Sequence, residues 1–314
     1  MQSLRPPLTL ALSLMLCLAC QTTIGCDSAA SPKRTPSIDA DRAWAHLERQ
    51  VAFGPRPSGS KEIEECRKFL EAELTGMGLA PKRETFEEKT PVGEIEFANV
   101  WAEWPGTDAK EGWIVLGSHY DTKRMPFPFV GANDAGSSTA ALIEIARAIV
   151  KGGKSPFTYR FVFFDGEEAT RNEWVDPDNT YGSRYHAQQL KRVGENTKAR
   201  VFVLLDMVGD KDLKLTRDIY SDRKFMDVFV GAARMNGLGA YVDGRSLEVR
   251  DDHLSFMAIG VPSINLIDFE YGPNNSYWHT KDDVLANCSK ESLAVIGKIT
   301  LLGLEKVEEL LRTR

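Results

Sequence analysis

The stretch YRFVFFDGEEA, Tyr159 to Ala169, decides the fold. Its first six residues are mostly aromatic or β-branched, the composition of a buried strand. Three carboxylates then arrive within four residues, Asp165, Glu167 and Glu168. Like charges at the mouth of an apolar strand repel one another and are costly to desolvate, so positive charge must stand beside them.

Other segments repeat the design. WIVLGS (113–118), RVFVLL (200–205) and VPSINLI (261–267) read as further strands, too apolar to leave one face in water. Helices are predicted over 138–150, 182–191 and 221–235, with a long amphipathic one over 290–311. Upstream, Ile63, Cys66, Phe69, Leu70 and Leu74 recur at helical spacing behind Ser60, an N-cap residue, and strand-like segments follow at 83–86 and 95–101. Strand and helix in alternation predict an α/β fold, with a single, mixed but largely parallel central sheet covered by helices on both faces.

In open α/β sheets ligands bind outside the carboxyl ends of the strands. His119-Tyr120-Asp121 follows the first run, Asp165-Gly166-Glu167-Glu168 the second, Asp206 the third, and a loop to Trp278-His279 the last. Gly131-Ala132-Asn133-Asp134 precedes the helix at 138. All five places carry carboxylate or imidazole and fall on one sheet edge, so the missing positive charge is a divalent metal. Mixed imidazole and carboxylate ligation without thiolate points to zinc with an open position, where an all-oxygen set would favour magnesium or calcium. Neighbouring side chains in an extended segment point opposite ways, so one of Glu167 and Glu168 can hold metal while the other faces substrate. Each residue has a plainer reading by itself. His119 could be a satisfied core histidine, Asp134 an N-cap, Asp206 a turn carboxylate, Glu168 a solvated first-turn residue. Trp278 and Trp174 could be loop aromatics. Jointly those readings need five coincidences at one sheet edge. No nucleophile elbow, Walker A loop or dinucleotide fingerprint competes.

The chain has 314 residues, 42% of them hydrophobic, enough for one large core. A net charge of −6 with no basic block argues against a nucleic-acid partner. Arg5 is followed shortly by LTLALSLMLCLAC, too short to span a bilayer comfortably and shaped like a secretory signal. Residues 1–26 are therefore read as a signal, 27–38 as a linker and 39–314 as the catalytic domain. Cys20 and Cys26 each follow a small residue, as in a bacterial lipoprotein signal. This predicts export, to the periplasm or to a membrane held through an N-terminal lipid, with a retained membrane anchor as the alternative. Only Cys66 and Cys288 lie beyond that segment, and whether they pair is left open.

The motifs at 119–123 (HYDTK), 131–136 (GANDAG), 163–169 (FFDGEEA), 181–184 (YGSR) and 204–209 (LLDMVG) resemble the zinc-dependent aminopeptidase-like superfamily, from about residue 40 onward. Within it, Asp251-Asp252-His253 and Trp278-His279-Thr280 followed by Asp282-Asp283 resemble the glutaminyl-peptide cyclotransferases, of the animal type and their bacterial relatives. That resemblance implies a zinc exopeptidase-like fold and one zinc held by Asp134, Glu168 and His279. It implies Glu167 as proton shuttle, Asp206 and Asp251 as its supporting carboxylates, and Trp278 and Trp174 as the lining of a glutamine pocket. His119 and Asp206 match the aminopeptidase ligands of a second metal, so a second ion stays open. The implied reaction converts the N-terminal glutamine of peptides or proteins to pyroglutamate with release of ammonia. An exported two-zinc metallo-aminopeptidase is the first alternative and a peptide-binding lipoprotein the second.

Overall fold

The computed structural model describes residues 1–2 and 37–313, so nearly all of the predicted signal and most of the linker lie outside the described residues. Helices α1 (Ala40–Phe53) and α2 (Lys61–Gly76) open the domain, each started by a side-chain cap. Asp39 accepts a hydrogen bond from the Arg42 amide at 3.0 Å, and Ser60 one from the Ile63 amide at 3.1 Å. Strands β1 (Lys82–Thr90) and β2 (Gly93–Trp104) form a hairpin. Then come β3 (Trp113–His119), α3 (Ser138–Lys151), β4 (Thr158–Phe164), α4 (Tyr181–Arg192) and β5 (Ala199–Asp206). A two-residue pair, β6 (Arg217–Asp218) and β7 (Ser246–Leu247), flanks α5 (Arg223–Met235). Short α6 (His253–Met257), β8 (Ser263–Ile267) and α7 (Lys290–Arg312) complete it.

The central sheet has six strands in the order β1-β2-β4-β3-β5-β8. β1, β2 and β4 pair antiparallel, whereas β4, β3, β5 and β8 run parallel. The chain passes from β3 to β4 on one side and then to β5 on the other. The carboxyl end of β3 is therefore the switch point at which open sheets form their ligand crevice.

Residue period two divides the parallel strands between two faces. Ile114, Leu116, Phe161, Phe163, Val201, Val203 and Leu205 point into the larger core beneath α1, α2, α3, α5 and α7. Val115, Val162, Phe164, Phe202 and Leu204 point into the smaller one, beneath α4 and α6. On that second face Gly117 makes room for two rings. A Cβ there would lie 2.7 Å from both Phe164 and Phe202, so Gly117→Ala would overpack the sheet centre.

The fold agrees with the expected mixed, largely parallel sheet, with differences at the edges. β1 and β2 extend beyond the expected 83–86 and 95–101 because the hairpin register pairs them from Lys82↔Trp101 to Thr90↔Gly93. The charges that obscured β1 suit an edge strand, where they deter pairing with another chain. Helix α1 packs Ala43, Trp44, Leu47 and Val51 at helical spacing against the core, with His46 and Gln50 buried beside them. Cys66 and Cys288 are both buried, free thiols, which closes the question of their pairing. Among the described residues no helix is long and apolar enough to cross a membrane.

Candidate metal centre and catalytic pocket

The carboxyl ends of the parallel strands deliver the charged groups to one place. β3 ends at His119 and β5 at Asp206, while β4 runs directly into Asp165. The first of the three carboxylates after β4 turns away from the rest. Asp165, wholly buried, forms an ion pair with Arg67 of α2 and accepts hydrogen bonds from Ser58 Oγ at 2.7 Å and the Ala98 amide at 2.9 Å. Its burial still pushes the carboxyl up to about 6 against the pull of Arg67. The positive charge called for by this stretch is thus in part a protein side chain.

Glu167 and Glu168 do face the crevice. Their backbone is gripped by Asp121, whose two oxygens accept the Glu167 amide at 3.1 Å and the Glu168 amide at 3.2 Å. The turn bearing Asp134 is held the same way. Asp283 accepts the Asn133 amide at 2.6 Å and the Asp134 amide at 3.2 Å. A carboxylate accepting two successive amides fixes a loop through charge-assisted bonds. Asp121 and Asp283 are the positioning residues that sequence reasoning missed. Asp121, two places after His119, reads there as a partner of that histidine. Asp283 ended the quoted Asp-Asp pair without a role.

Two clusters of potential ligands result, and both use Asp134. In the first, His279 Nε2 lies 3.1 Å from Glu168 Oε1 and 3.2 Å from Asp134 Oδ2. In the second, His119 Nε2 lies 3.2 Å from Asp134 Oδ1 and 3.1 Å from Asp206 Oδ1. Ligand atoms at ~2.0–2.2 Å around a tetrahedral zinc stand roughly 3.3–3.6 Å apart, so both spacings are close to what such an ion needs. The charges fit as well. Burial opposes protonation of His279, yet Glu168 and Asp134 carry it up to about 10, a negative field that a divalent cation would answer. The backbone at His279 is held at φ 54°, a left-handed conformation uncommon for histidine.

The two clusters differ in the access of their histidines. A pocket of about 330 Å³ is lined by Asp134, Glu168 and His279, by Glu167, Asp206 and Asp251, and by both Trp278 and Trp174. His119 is 1% exposed and stands behind this wall. The structure therefore brings all eight expected site residues to one cavity. Its apolar lining comes from Met207, Val249, Ile267 and Phe269, and Lys123, Asn172, Glu248 and Arg250 add polar and charged groups. Trp278 stacks on His279 with ring centroids 4.1 Å apart, and Phe269 meets Trp278 edge-on at 5.2 Å. Trp174 sits in the loop after Glu168, which Asp178 ties down by accepting the Thr170 and Arg171 amides at 3.0 and 3.1 Å.

Buried carboxyl groups crowd the pocket floor. Burial, then the charges of Asp251, Glu168 and Asp252, push Glu167 well above the usual carboxylate range despite His119 nearby. Burial likewise lifts Asp206 to about 7, against its contact with His119, and raises Asp251. Asp251 is fixed by the Asn265 amide group, which donates to its Oδ2 at 2.7 Å, and by the Asp252 amide at 2.6 Å. Buried carboxyl groups with raised proton affinity, beside a cluster able to hold a metal, are equipped for proton transfer.

The profile of peptidase family M28 matches residues 99–303, a span that contains Asp134, Glu167, Glu168, Asp206, Asp251 and His279. The chain belongs to peptidase family M28. It is 30% identical over 291 residues to the glutaminyl-peptide cyclotransferase-like protein of Mus musculus, covering 83% of this chain and 74% of the relative. The crystal structure of an Acidobacteriales bacterium glutaminyl cyclase superposes with a TM-score of 0.83 at 33% identity, over 90% of this chain and 98% of that one. A zinc-dependent exopeptidase from Parabacteroides distasonis superposes with a TM-score of 0.75 at 26% identity, over 91% and 100% of the two chains.

Proposed function

We propose that this chain is a zinc-dependent glutaminyl-peptide cyclotransferase, which converts the N-terminal glutamine of peptides and proteins to pyroglutamate and releases ammonia. One observation carries the reading. A partly enclosed pocket of mixed apolar and polar lining holds the Asp134–Glu168–His279 cluster together with a protonatable Glu167, whereas His119, the histidine of the second cluster, does not line it. The likeness to the mouse relative and the bacterial cyclase supports the same activity.

In this reading Asp134, Glu168 and His279 hold one zinc. When bound, the ion supplies a Lewis acid that polarises the γ-carbonyl of the substrate glutamine. The remaining work falls to the chain. Trp278, Ile267 and Phe269 shape a pocket that folds the glutamine side chain back toward its own α-amine and limits water. That amine, with a pKa near ~8, is partly neutral at pH 7. As it attacks the γ-carbonyl carbon, Glu167 takes its proton. As the bond from that carbon to the amide nitrogen breaks, Glu167 returns the proton and ammonia leaves. Asp206 and Asp251, crowded and buried, set the proton affinity of Glu167. Ring closure within one bound molecule lowers the barrier by roughly 7 kcal/mol or more when well oriented, which removes the need to make hydroxide from water.

The second reading is an exported two-zinc aminopeptidase, favoured by the His119–Asp134–Asp206 cluster and the exopeptidase likeness. One experiment separates them. Purified zinc-loaded protein is incubated with a glutamine-initiated peptide and the product is weighed by mass spectrometry, with bound zinc counted. A peptide lighter by one ammonia supports cyclisation; release of free glutamine overturns it in favour of hydrolysis. Export through residues 1–26, with a lipid on Cys20 or Cys26, belongs to the same proposal, and the mass of the mature N-terminus from a native membrane fraction tests it.

A further inference from the structure

We infer that Lys123 is a positioning residue for the metal centre: it holds one oxygen of Glu168 away from the ion, so that Glu168 ligates through a single arm and a coordination position stays open for substrate. The kinetic part of this inference rests on the proposed cyclisation; the coordination part does not.

Lys123 follows β3 by four residues and turns into the pocket, although it is only 2% exposed. A buried ammonium is costly unless it is paired. Its single polar contact among the described residues is Glu168 Oε2, at 3.5 Å. That oxygen is itself buried and takes no hydrogen bond. The other oxygen, Oε1, is the one that faces His279 Nε2 at 3.1 Å. The two arms of Glu168 are therefore divided between the ligand cluster and a cation.

This division matters because the terminal carboxyl torsion of glutamate is broad. Without a cation on Oε2, a small rotation would bring the second oxygen to the ion as well. A two-armed Glu168 beside Asp134, His279 and the ligand in the fourth position would raise the ion to five-coordinate and crowd the position that a catalytic zinc keeps for substrate. Groups behind a metal's ligands orient them in this way, and their loss commonly lowers activity or affinity by roughly 10- to 100-fold.

The test compares Lys123→Met and Lys123→Arg with the parent, each loaded with Co2+ for spectroscopy and with Zn2+ for kinetics. Four-coordinate Co2+ absorbs visible light strongly and five-coordinate Co2+ weakly. Lys123→Met is expected to lose visible absorption while still retaining the ion against a chelator, and its kcat to fall roughly 10- to 100-fold with KM unchanged. Lys123→Arg keeps the charge and is expected to keep both spectrum and turnover. An unchanged cobalt spectrum in Lys123→Met, or a loss confined to KM, overturns the inference, since the lysine would then touch substrate and not Glu168. Should the methionine variant fail to fold, Lys123→Gln must show the same spectral change or the inference fails. If the parent does not cyclise glutamine, the functional reading falls, and the cobalt comparison still decides the role of Lys123.

Discussion

Arg67→Met should destabilise the fold strongly at pH 7.5 and much less at pH 5. Arg67 is 4% exposed and is the cation paired with Asp165, which is wholly buried at the end of β4. Breaking a buried pair from one side costs ~3–5 kcal/mol, because the orphaned charge stays in a poor solvent. In a domain of this size that lowers Tm by roughly 10 °C. Arg67 Nε also donates to Tyr120 Oη at 2.9 Å, which adds about 1 kcal/mol whatever the pH. The pH dependence isolates the charge. Burial already lifts Asp165 to about 6 with Arg67 present, and removing Arg67 lifts it further. An acid whose folded value exceeds its unfolded value of 3.8 takes up its proton more readily when folded. The penalty of the substitution is therefore largest above the value Asp165 takes in the variant and has largely gone once pH falls below about 6, where the carboxyl is protonated in both folded proteins. Urea unfolding of the parent, Arg67→Met and Arg67→Met/Asp165→Asn at pH 7.5 and 5 measures this. The double variant should recover most of the loss at pH 7.5. A penalty equal at both pH values, or no recovery in the double variant, would refute the reasoning.

Three further outcomes follow from the same geometry. Glu167→Gln keeps the shape but cannot carry a proton, so kcat should fall by ~10²–10⁴ while zinc content, measured by atomic emission, stays at the parent level. Asp121→Asn replaces one acceptor of the Glu167 and Glu168 amides with an N–H group; urea unfolding should register a loss of ~2–3 kcal/mol, and turnover should drop with it. Glu144, on α3, is held down to about 2 by hydrogen bonds from His46, Arg42 and Arg147, against the effect of burial. Its contribution, on the order of 2–3 kcal/mol, is present above pH 4.5 and lost as pH falls through about 2, so Glu144→Gln should match the parent in acid unfolding and fall below it at pH 7.

The parallel strands of the central sheet were legible because each apolar run stops at a titratable residue, as after Phe164 and Leu205. Asp134, Glu168 and His279 were legible as titratable residues in the connections beyond those strand ends: Asp134 between β3 and α3, Glu168 just after β4, and His279 in the loop after β8. What supports them was not. Arg67 lies 98 residues from Asp165, on a helix whose polar positions look like an ordinary solvated face. Lys123 reads as a surface lysine until the loop after β3 turns it inward. Asp283 lies 149 residues from the amide of Asp134 that it accepts. Local pattern encodes which residues are buried; it does not encode which distant charge answers which.

The pocket-side cluster joins segments far apart along the chain, Glu168 and His279 alone being separated by 111 residues. No short piece of this polypeptide can preform such a grip, so an ion held there is a witness to completed folding. A cation bound there would need all three segments in place at once, and a chain cut short before His279 would lack one of the three ligands.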